Sequence, residues 1–416
     1  MRETTNLEFK SELSKSFLKT VSAFANYGTG EIHFGVLDDG TVIGLEDPKG
    51  ACLKIENQIN DSIRPAPQYS LQINDETGVI ILTVLEGKDK PYFYQSKAYR
   101  RNDSATVEVD RMELKRLILQ GGNLYFDALP ANRQDLSFSY LEAKLQEKLG
   151  IKGLTKDLLI TLKLYDKEEG YTVAGELFSD KNMRNGLDMV RFGDNINIIL
   201  ARKQLANVSI LQAYDQALDF FRQYYHFEVI EGAYRKEVEK IPEEAFREVI
   251  ANAIVHRAWD VNANIQVAMY EDKLVVTSPG TLPEGITQDA YLHGNISILR
   301  NPTVANIFFR LDLIESFGSG ISRIMASYGQ SAIKPQFRFF DNSIEVTLPC
   351  MISGSNLSKE QASVYAVLQN KALPSSEIMT QVGFSKNKTL RILNELIEAG
   401  YAEKIGKGRG TKYRAS

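Results

Sequence analysis

The sequence predicts an α/β and α+β multidomain protein, and three observations carry that prediction. The chain has 416 residues, whereas domains run about 100–200 residues, so two to four are expected. Helical and strand periodicities alternate through residues 1–349. After a Gly/Ser-containing segment the pattern changes to three short helices followed by a glycine-rich basic hairpin.

Residues 1–122 read as one mixed domain. The pattern Phe17-Leu18-x-x-Val21-x-x-Phe24-Ala25 is a helix that ends in Asn26-Tyr27-Gly28. A strand over Glu31–Leu37 leads through Asp38-Asp39-Gly40 into a second strand, Thr41–Leu45, since Asp-Gly between apolar runs signals a hairpin. A helix over Ala51–Ile63 is stopped by Pro65 and Pro67. Strands Tyr69–Ile73 and Val79–Leu85 flank a turn at Asn74–Gly78, and a last helix, Arg111–Gln120, ends at Gly121-Gly122.

Residues 123–349 form a longer α/β region. Its clearest element is the helix Glu243–Arg257, with Phe246, Val249, Ile250, Ala253 and Ile254 on one face and Pro242 near its first turn. Ile352-Ser353-Gly354-Ser355-Asn356 reads as a flexible linker to a third domain, 357–416.

Composition narrows the function. Apolar residues make up 43% and charged residues 25%, an ordinary folded balance. No stretch approaches the roughly 20 apolar residues of a membrane span, and the first residues, MRETTNLEFKSELSK, are too polar for a secretory signal. A cytoplasmic protein without a membrane partner is expected. Cys52 and Cys350 with His33, His226, His256 and His293 form no zinc spacing, and two cysteines make no disulfide framework. The net charge of −4 is unevenly spread: 357–416 holds ten Lys and Arg against five Glu, while 1–356 holds 39 against 48 Asp and Glu. A basic end on an acidic body points to a local polyanion contact.

That basic end has an order of its own. Helices are expected over Lys359–Gln369, Ser376–Gln381 and Lys386–Ala399, with a turn at Gly383-Phe384-Ser385 and Gly400 as the last helix's stop. Ser385 is suited to cap the third helix, whose N-terminal half carries Lys386, Asn387, Lys388 and Arg391. Leu390, Leu393, Leu396 and Ile397 face inward. Tyr401–Ile405 and Thr411–Tyr413 then flank a tip bearing Lys407 and Arg409. A helix that presents its cationic start to base edges and phosphates, beside such a tip, fits duplex DNA. A small helical packing domain with a solvated basic tail is the alternative. The module resembles the winged helix-turn-helix of bacterial transcription regulators, which implies double-stranded DNA as partner and a homodimer reading paired half-sites.

In the central domain, Glu248, Asn252 and His256 are four residues apart and share a helix face. Downstream lie Ser278-Pro279-Gly280-Thr281-Leu282-Pro283-Glu284-Gly285 and Phe317-Gly318-Ser319-Gly320-Ile321. Glu248 can activate water, Asn252 can ligate Mg2+, and loop N–H groups can hold phosphates, so ATP with Mg2+ is a candidate cofactor. A solvated Glu/Asn face is the alternative. The order resembles the ATP-binding fold of gyrase, Hsp90, histidine kinases and MutL, in the divergent form of RecG-like proteins. The resemblance implies Glu248 as general base, Asn252 as magnesium ligand, and Gly318 and Gly320 as the second glycine box. The first box departs from it: Ser278 stands where an adenine-reading Asp belongs, and only Gly280 of two glycines remains.

At the other end, Asn6-Leu7-Glu8-Phe9-Lys10, Val21-Ser22-Ala23-Phe24-Ala25-Asn26 and Gly35-Val36-Leu37-Asp38-Asp39-Gly40-x-x-x-Gly44 together resemble the AlbA/Schlafen-type nucleic-acid-binding domain. Eukaryotic relatives of that type are RNA nucleases with two glutamates and an aspartate, which places Glu3, Glu8 and Asp38 as candidate carboxylates for divalent ions and RNA as a second partner. The alternative gives them only structural duties: a chain-end residue, a lysine partner and a turn former. The run Tyr92-Phe93-Tyr94-Gln95-Ser96-Lys97-Ala98-Tyr99-Arg100-Arg101 interleaves aromatics with cations, so Lys97, Tyr99, Arg100 and Arg101 suit base stacking and phosphate contact, or else a half-buried strand pair. The leading expectation is a DNA-binding, nucleotide-responsive transcriptional regulator. Its rivals are a metal-dependent endoribonuclease and an ATPase coupled to nucleic-acid remodelling.

Overall fold

A computed structural model describes the chain except residues 1, 232–233, 283–285, 294–297, 316–318, 330, 332, 352–357, 369–370, 399–400, 407 and 416. The linker segment 352–356, Gly318, Gly400 and Lys407 therefore lie outside the described residues, as does the side chain of Arg409. Contacts divide the chain into two compact units, Met1–Leu129 and Pro130–Ser416.

The first unit is a four-stranded sheet backed by two helices. Strand β1 (Leu7–Lys10) runs parallel to β2 (Gly30–Phe34). Antiparallel strands β4 (Tyr69–Asn74) and β5 (Val79–Val84) complete the order β1-β2-β5-β4. Helix α1 (Phe17–Tyr27) is buried nearly all round, and Phe17, Val21 and Phe24 form the core with Ile32, Phe34, Ile80 and Leu82. Helix α2 (Pro48–Ser62) starts with Pro48 in its first turn and Asp47 accepting from the Gly50 amide, and it buries Ile55 and Ile59. Two small ladders follow: β3 (Ile63–Arg64) with β6 (Phe93–Tyr94), and β7 (Tyr99–Asn102) with β8 (Ala105–Glu108). Helix α3 (Arg111–Gly121) opens with a capping box between Asp110 and Glu113.

The expected strand Thr41–Leu45 is instead a turn. The amides of Ile43 and Gly44 both donate to the Gly35 carbonyl at 2.9 Å, leaving only a bridge between Val36 and Val42. The chain crosses itself there: a Cβ on Gly35 would lie 2.9 Å from the Gly44 backbone, and both glycines have positive φ.

The second unit begins with helices α4 (Ser139–Leu149) and α5 (Lys156–Thr161), a short ladder of β9 (Tyr165–Asp166) and β10 (Gly170–Tyr171), and helix α6 (Val173–Phe178). Its centre is a six-stranded sheet. Strands β11 (Leu187–Phe192), β12 (Ile199–Leu205), β15 (Ile265–Met269), β16 (Lys273–Pro279), β17 (Gln336–Phe339) and β18 (Ser343–Pro349) take the order β12-β11-β15-β16-β18-β17. Only β11 and β15 run parallel. Helix α7 (Ile210–Tyr225) leads into a separate hairpin of β13 (His226–Glu231) and β14 (Tyr234–Glu239). Helix α8 (Glu243–His256) buries the face expected from its periodicity, and the Phe246 ring stacks on Phe221 of α7 with centroids 4.2 Å apart. Helices α9 (Gln288–His293), α10 (Pro302–Arg310) and α11 (Gly320–Ser327) lie between β16 and β17 in the chain.

Three helices and a hairpin close the chain: α12 (Lys359–Leu368), α13 (Ser375–Val382), α14 (Lys386–Glu398), β19 (Ala402–Ile405) and β20 (Lys412–Ala415). Their core is Val364, Leu368, Ile378, Ile392, Leu393, Leu396 and Tyr413. Gly383, at φ +69°, ends α13 in the left-handed conformation. Among the described residues no helix is long and apolar enough to cross a membrane.

Candidate nucleotide and nucleic-acid sites

The central candidate residues converge. Helix α8 places Glu248, Asn252 and His256 on one side, and the Asn252 amide donates to Glu248 Oε1 at 3.3 Å. Gly320, the first residue of α11, packs directly on this pair: a Cβ there would fall 2.3 Å from Glu248 Oε1 and 2.8 Å from Asn252 Nδ2. Only glycine lets the start of α11 approach so closely. Glu248 is buried, and burial raises its carboxyl pKa above the usual value, against the partial relief given by Arg323 and Asn252.

Beyond Asn252 the wall continues to His256, Ser278 and Gly280, which enclose, with Tyr291 and Phe337, a cavity of about 40 Å3. That is room for about three water molecules. The His256 imidazole is pushed down to about 4 by burial and by the Arg300 charge, so it is neutral at pH 7. Its Nδ1 is buried with no hydrogen-bond partner among the described residues. Ser278 donates its hydroxyl to the Ala253 carbonyl at 3.1 Å, tying the end of β16 to α8 and leaving its oxygen as an acceptor. Gly280 has φ +121°, and a Cβ there would meet Arg300 Nη1 at 2.3 Å.

Glu248 also lines a second cleft of about 220 Å3, where Glu244, Arg247, Asp312, Glu315 and Arg323 stand beside the apolar Phe309 and Leu313. Arg247 and Arg323 were not singled out by sequence analysis. The available signal was their spacing, since Arg247 precedes Glu248 and Arg323 follows Gly320 by one helical turn. Arg323 is ion-paired with Glu315.

Tested against this donor set, a magnesium nucleotide fits in part. Glu248, Asn252 and the start of α11 are assembled as such a group requires, but the adjoining cleft sets Glu244, Asp312 and Glu315 beside Arg247 and Arg323, and Arg323 is already paired with Glu315. The 40 Å3 cavity does not admit a nucleoside without movement of its walls.

In the first unit the candidate carboxylates do not assemble. Glu8 is buried and saturated: Lys10 Nζ lies 2.6 Å from Oε1, the Thr20 hydroxyl donates to Oε2 at 2.6 Å, and Arg101 pairs with Oε2. Glu3 accepts from the Phe9 amide at 2.8 Å. Asp38 is exposed, and its neighbour Asp39, which accepts from the Thr41 amide at 2.8 Å, serves the turn. Among the described residues no group of three His, Cys, Asp or Glu is arranged to hold a metal ion.

The aromatic run is likewise turned inward. Tyr92, Tyr94 and Tyr99 belong to the core, so Tyr99 offers no face for a base. Arg101 is spent on Glu8, Arg100 lies 3.2 Å from Glu113, and Lys97 lies 2.6 Å from Glu108.

The C-terminal candidates stay at the surface. Lys386, Asn387 and Arg391 are exposed on α14. Lys388 is half-buried, 2.5 Å from Glu360 of α12 and with its ammonium 4.4 Å from the centre of the Phe384 ring. Arg391 lies 3.4 Å from Glu395, one turn on. Ser385 accepts the Thr389 amide at its carbonyl at 2.9 Å.

Comparison with known proteins places two of these regions. Residues 3–110 match the family model described as "Schlafen, AlbA_2", and residues 262–348 match that described as "Putative ATP-dependent DNA helicase recG C-terminal". The chain thus carries an N-terminal Schlafen AlbA_2 domain and a RecG-type HATPase domain. The second match takes in Ser278, Gly280 and Gly320 and begins after α8. No curated protein matches the chain. A crystal structure of a Corynebacterium diphtheriae protein is similar at 21% identity and TM-score 0.49, over 99% of this chain and 92% of that one. The solution structure of the N-terminal domain of a "Putative ATP-dependent DNA Helicase RecG-related Protein" from Nitrosomonas europaea is similar at 21% identity and TM-score 0.19, over 26% of this chain and 80% of that one.

Proposed function

We propose that the protein is a DNA-binding transcriptional regulator whose last three helices and hairpin act as a winged helix-turn-helix, with α14 as the recognition helix. The observation that carries this reading is the charge order along α14. Its first turn has no acid and holds Lys386 and Lys388, while its last turn has no base and ends in Glu398. A helix N-terminus favours anions, and each misplaced charge costs about 0.3–1 kcal/mol. A stabilising design would reverse this order. A start that is positive by dipole and by side chain suits a phosphate backbone. Lys404 and Lys412 add exposed cations on the adjoining hairpin.

The test is duplex binding by the full chain, followed by fluorescence anisotropy across a salt series. Affinity should fall with a log–log slope near −0.9 for each phosphate neutralised. Lys386→Ala with Lys412→Ala should lower that slope by about two. A slope unchanged in the double variant removes α14 from the interface.

A second reading rests on the Glu248–Asn252–Gly320 cluster: a nucleotide with Mg2+ binds in the central domain and tunes DNA binding. There Asn252 ligates the metal, Glu248 orients water, and Ser278 accepts from the base. ATP with Mg2+ should then raise the midpoint of thermal unfolding in a concentration-dependent way. No rise at millimolar nucleotide removes this reading.

A further inference from the structure

The exposed positions Asn387, Arg391 and Asn394 share one side of α14, at intervals of four and three residues. The arginine among them is held from behind. Its Nε lies 3.4 Å from Glu395 Oε1. Glu395 is fixed in turn, since its Oε2 accepts from the Gln361 side-chain amide of α12 at 2.6 Å. Gln361 belongs to a capping box: its Oε1 accepts from the Ser358 amide at 2.8 Å, and the Ser358 hydroxyl oxygen accepts from the Gln361 amide at 3.2 Å. A relay of contacts thus runs from the start of α12 to the guanidinium on α14. Among the described residues no other side chain pairs with Arg391.

A carboxylate at the Nε edge has two effects. It cancels much of the charge that would draw Arg391 to a phosphate. It also holds the guanidinium plane, so that Nη1 and Nη2 become a directed pair of donors rather than a swinging charge. Such a pair matches two acceptors side by side. In the major groove only guanine presents them, as O6 and N7. Lys386, exposed in the first turn, is the group suited to phosphate.

We propose that Arg391 reads a guanine in the major groove, and that Glu395 and Gln361 are positioning residues that set its plane. The inference rests on α14 being the recognition helix and adds what that helix selects. The bound site holds a guanine, Arg391 distinguishes it from the other bases, and the cap of α12 fixes the geometry of that choice.

The test uses the full chain. Bound sequences are selected from random duplexes, and the enriched site is then measured by fluorescence anisotropy with one guanine at a time replaced by adenine. One such replacement should weaken wild-type binding about tenfold or more. In Arg391→Gln, whose amide matches adenine instead, the same replacement should no longer weaken binding, and the salt slope should stay at the wild-type value. Gln361→Glu keeps the capping box but removes the donor to Glu395 and sets two carboxylates against each other. It should lower the guanine preference about threefold or more, with thermal unfolding and salt slope unchanged. A guanine preference that survives Arg391→Gln overturns the inference and leaves duplex binding by α14 standing. So does a salt slope lowered by about one in Arg391→Gln, which would make Arg391 a phosphate contact. A preference intact in Gln361→Glu overturns the positioning roles of Glu395 and Gln361. No duplex binding by the wild-type protein removes the recognition helix itself, and this inference with it.

Discussion

The segment 92–101 and the helix 386–398 are built from the same side chains, aromatics or aliphatics set among cations, and the fold uses them in opposite ways. In the first, Tyr94 and Tyr99 are core residues and Arg101 is sealed against Glu8. In the second, Lys386 and Arg391 stand in solvent on a helix whose charge order works against its own dipole. The cations of the first segment hold the domain together, whereas Lys386 at the start of the helix opposes its dipole. A cation that stabilises needs no ligand to explain it, whereas one that destabilises its own helix does.

Measurements on the two regions can break that contrast. Tyr99→Ala should have the largest effect, a loss of about 4 kcal/mol in urea unfolding, because a buried aromatic leaves a cavity. A loss below 1 kcal/mol would mean that Tyr99 is free to meet a base after all. Arg101→Met should cost about 3 kcal/mol by leaving buried Glu8 with Lys10 as its one charged partner among those described. If nucleic-acid affinity falls instead while stability holds, the inward assignment of this run is wrong.

Between these extremes lies His256, half-buried and neutral, with its Nδ1 out of solvent. Its folded pKa of about 4 is below the ordinary 6.5, so protonation favours the unfolded chain. The stability tied to this group is present above pH 6.5 and is lost as pH falls toward 4. Acidification to pH 5 should therefore cost about 2 kcal/mol, and the cost should vanish in His256→Phe. An identical acid response in the variant would assign the loss to other groups. The smallest effect has the opposite sign. Lys386→Glu should raise stability by about 0.5 kcal/mol by restoring the favoured charge at a helix start, while weakening duplex binding. Any fall in stability would show that Lys386 has a structural partner.

How legible these regions were in the sequence follows from how local their causes are. Helix α8 was readable because its apolar face repeats every three to four residues, and Glu248 and Asn252 meet because they lie one turn apart. The start of α14 was readable for the same reason. The fate of Arg101 was not, since its partner Glu8 lies 93 residues away. The Thr41–Leu45 segment looked like a strand by composition, yet Gly35 and Gly44 take positive φ and fold it into a turn. The β13–β14 arm went unmarked because alternation of apolar and charged residues reads the same whether a strand joins a large sheet or stands alone.

The contact between Lys388 and Glu360 has a consequence for selectivity. In a regulator that grips DNA as proposed, any phosphate seeking that ammonium must first compete with a carboxylate already seated there. Random duplex, which offers charge and little else, meets this handicap in full. A sequence that satisfies Asn387 and its neighbours at the base edges has other gains to set against it. The pair would thus weaken binding to every duplex by the same factor, so that only a sequence with those further gains would hold the protein tightly.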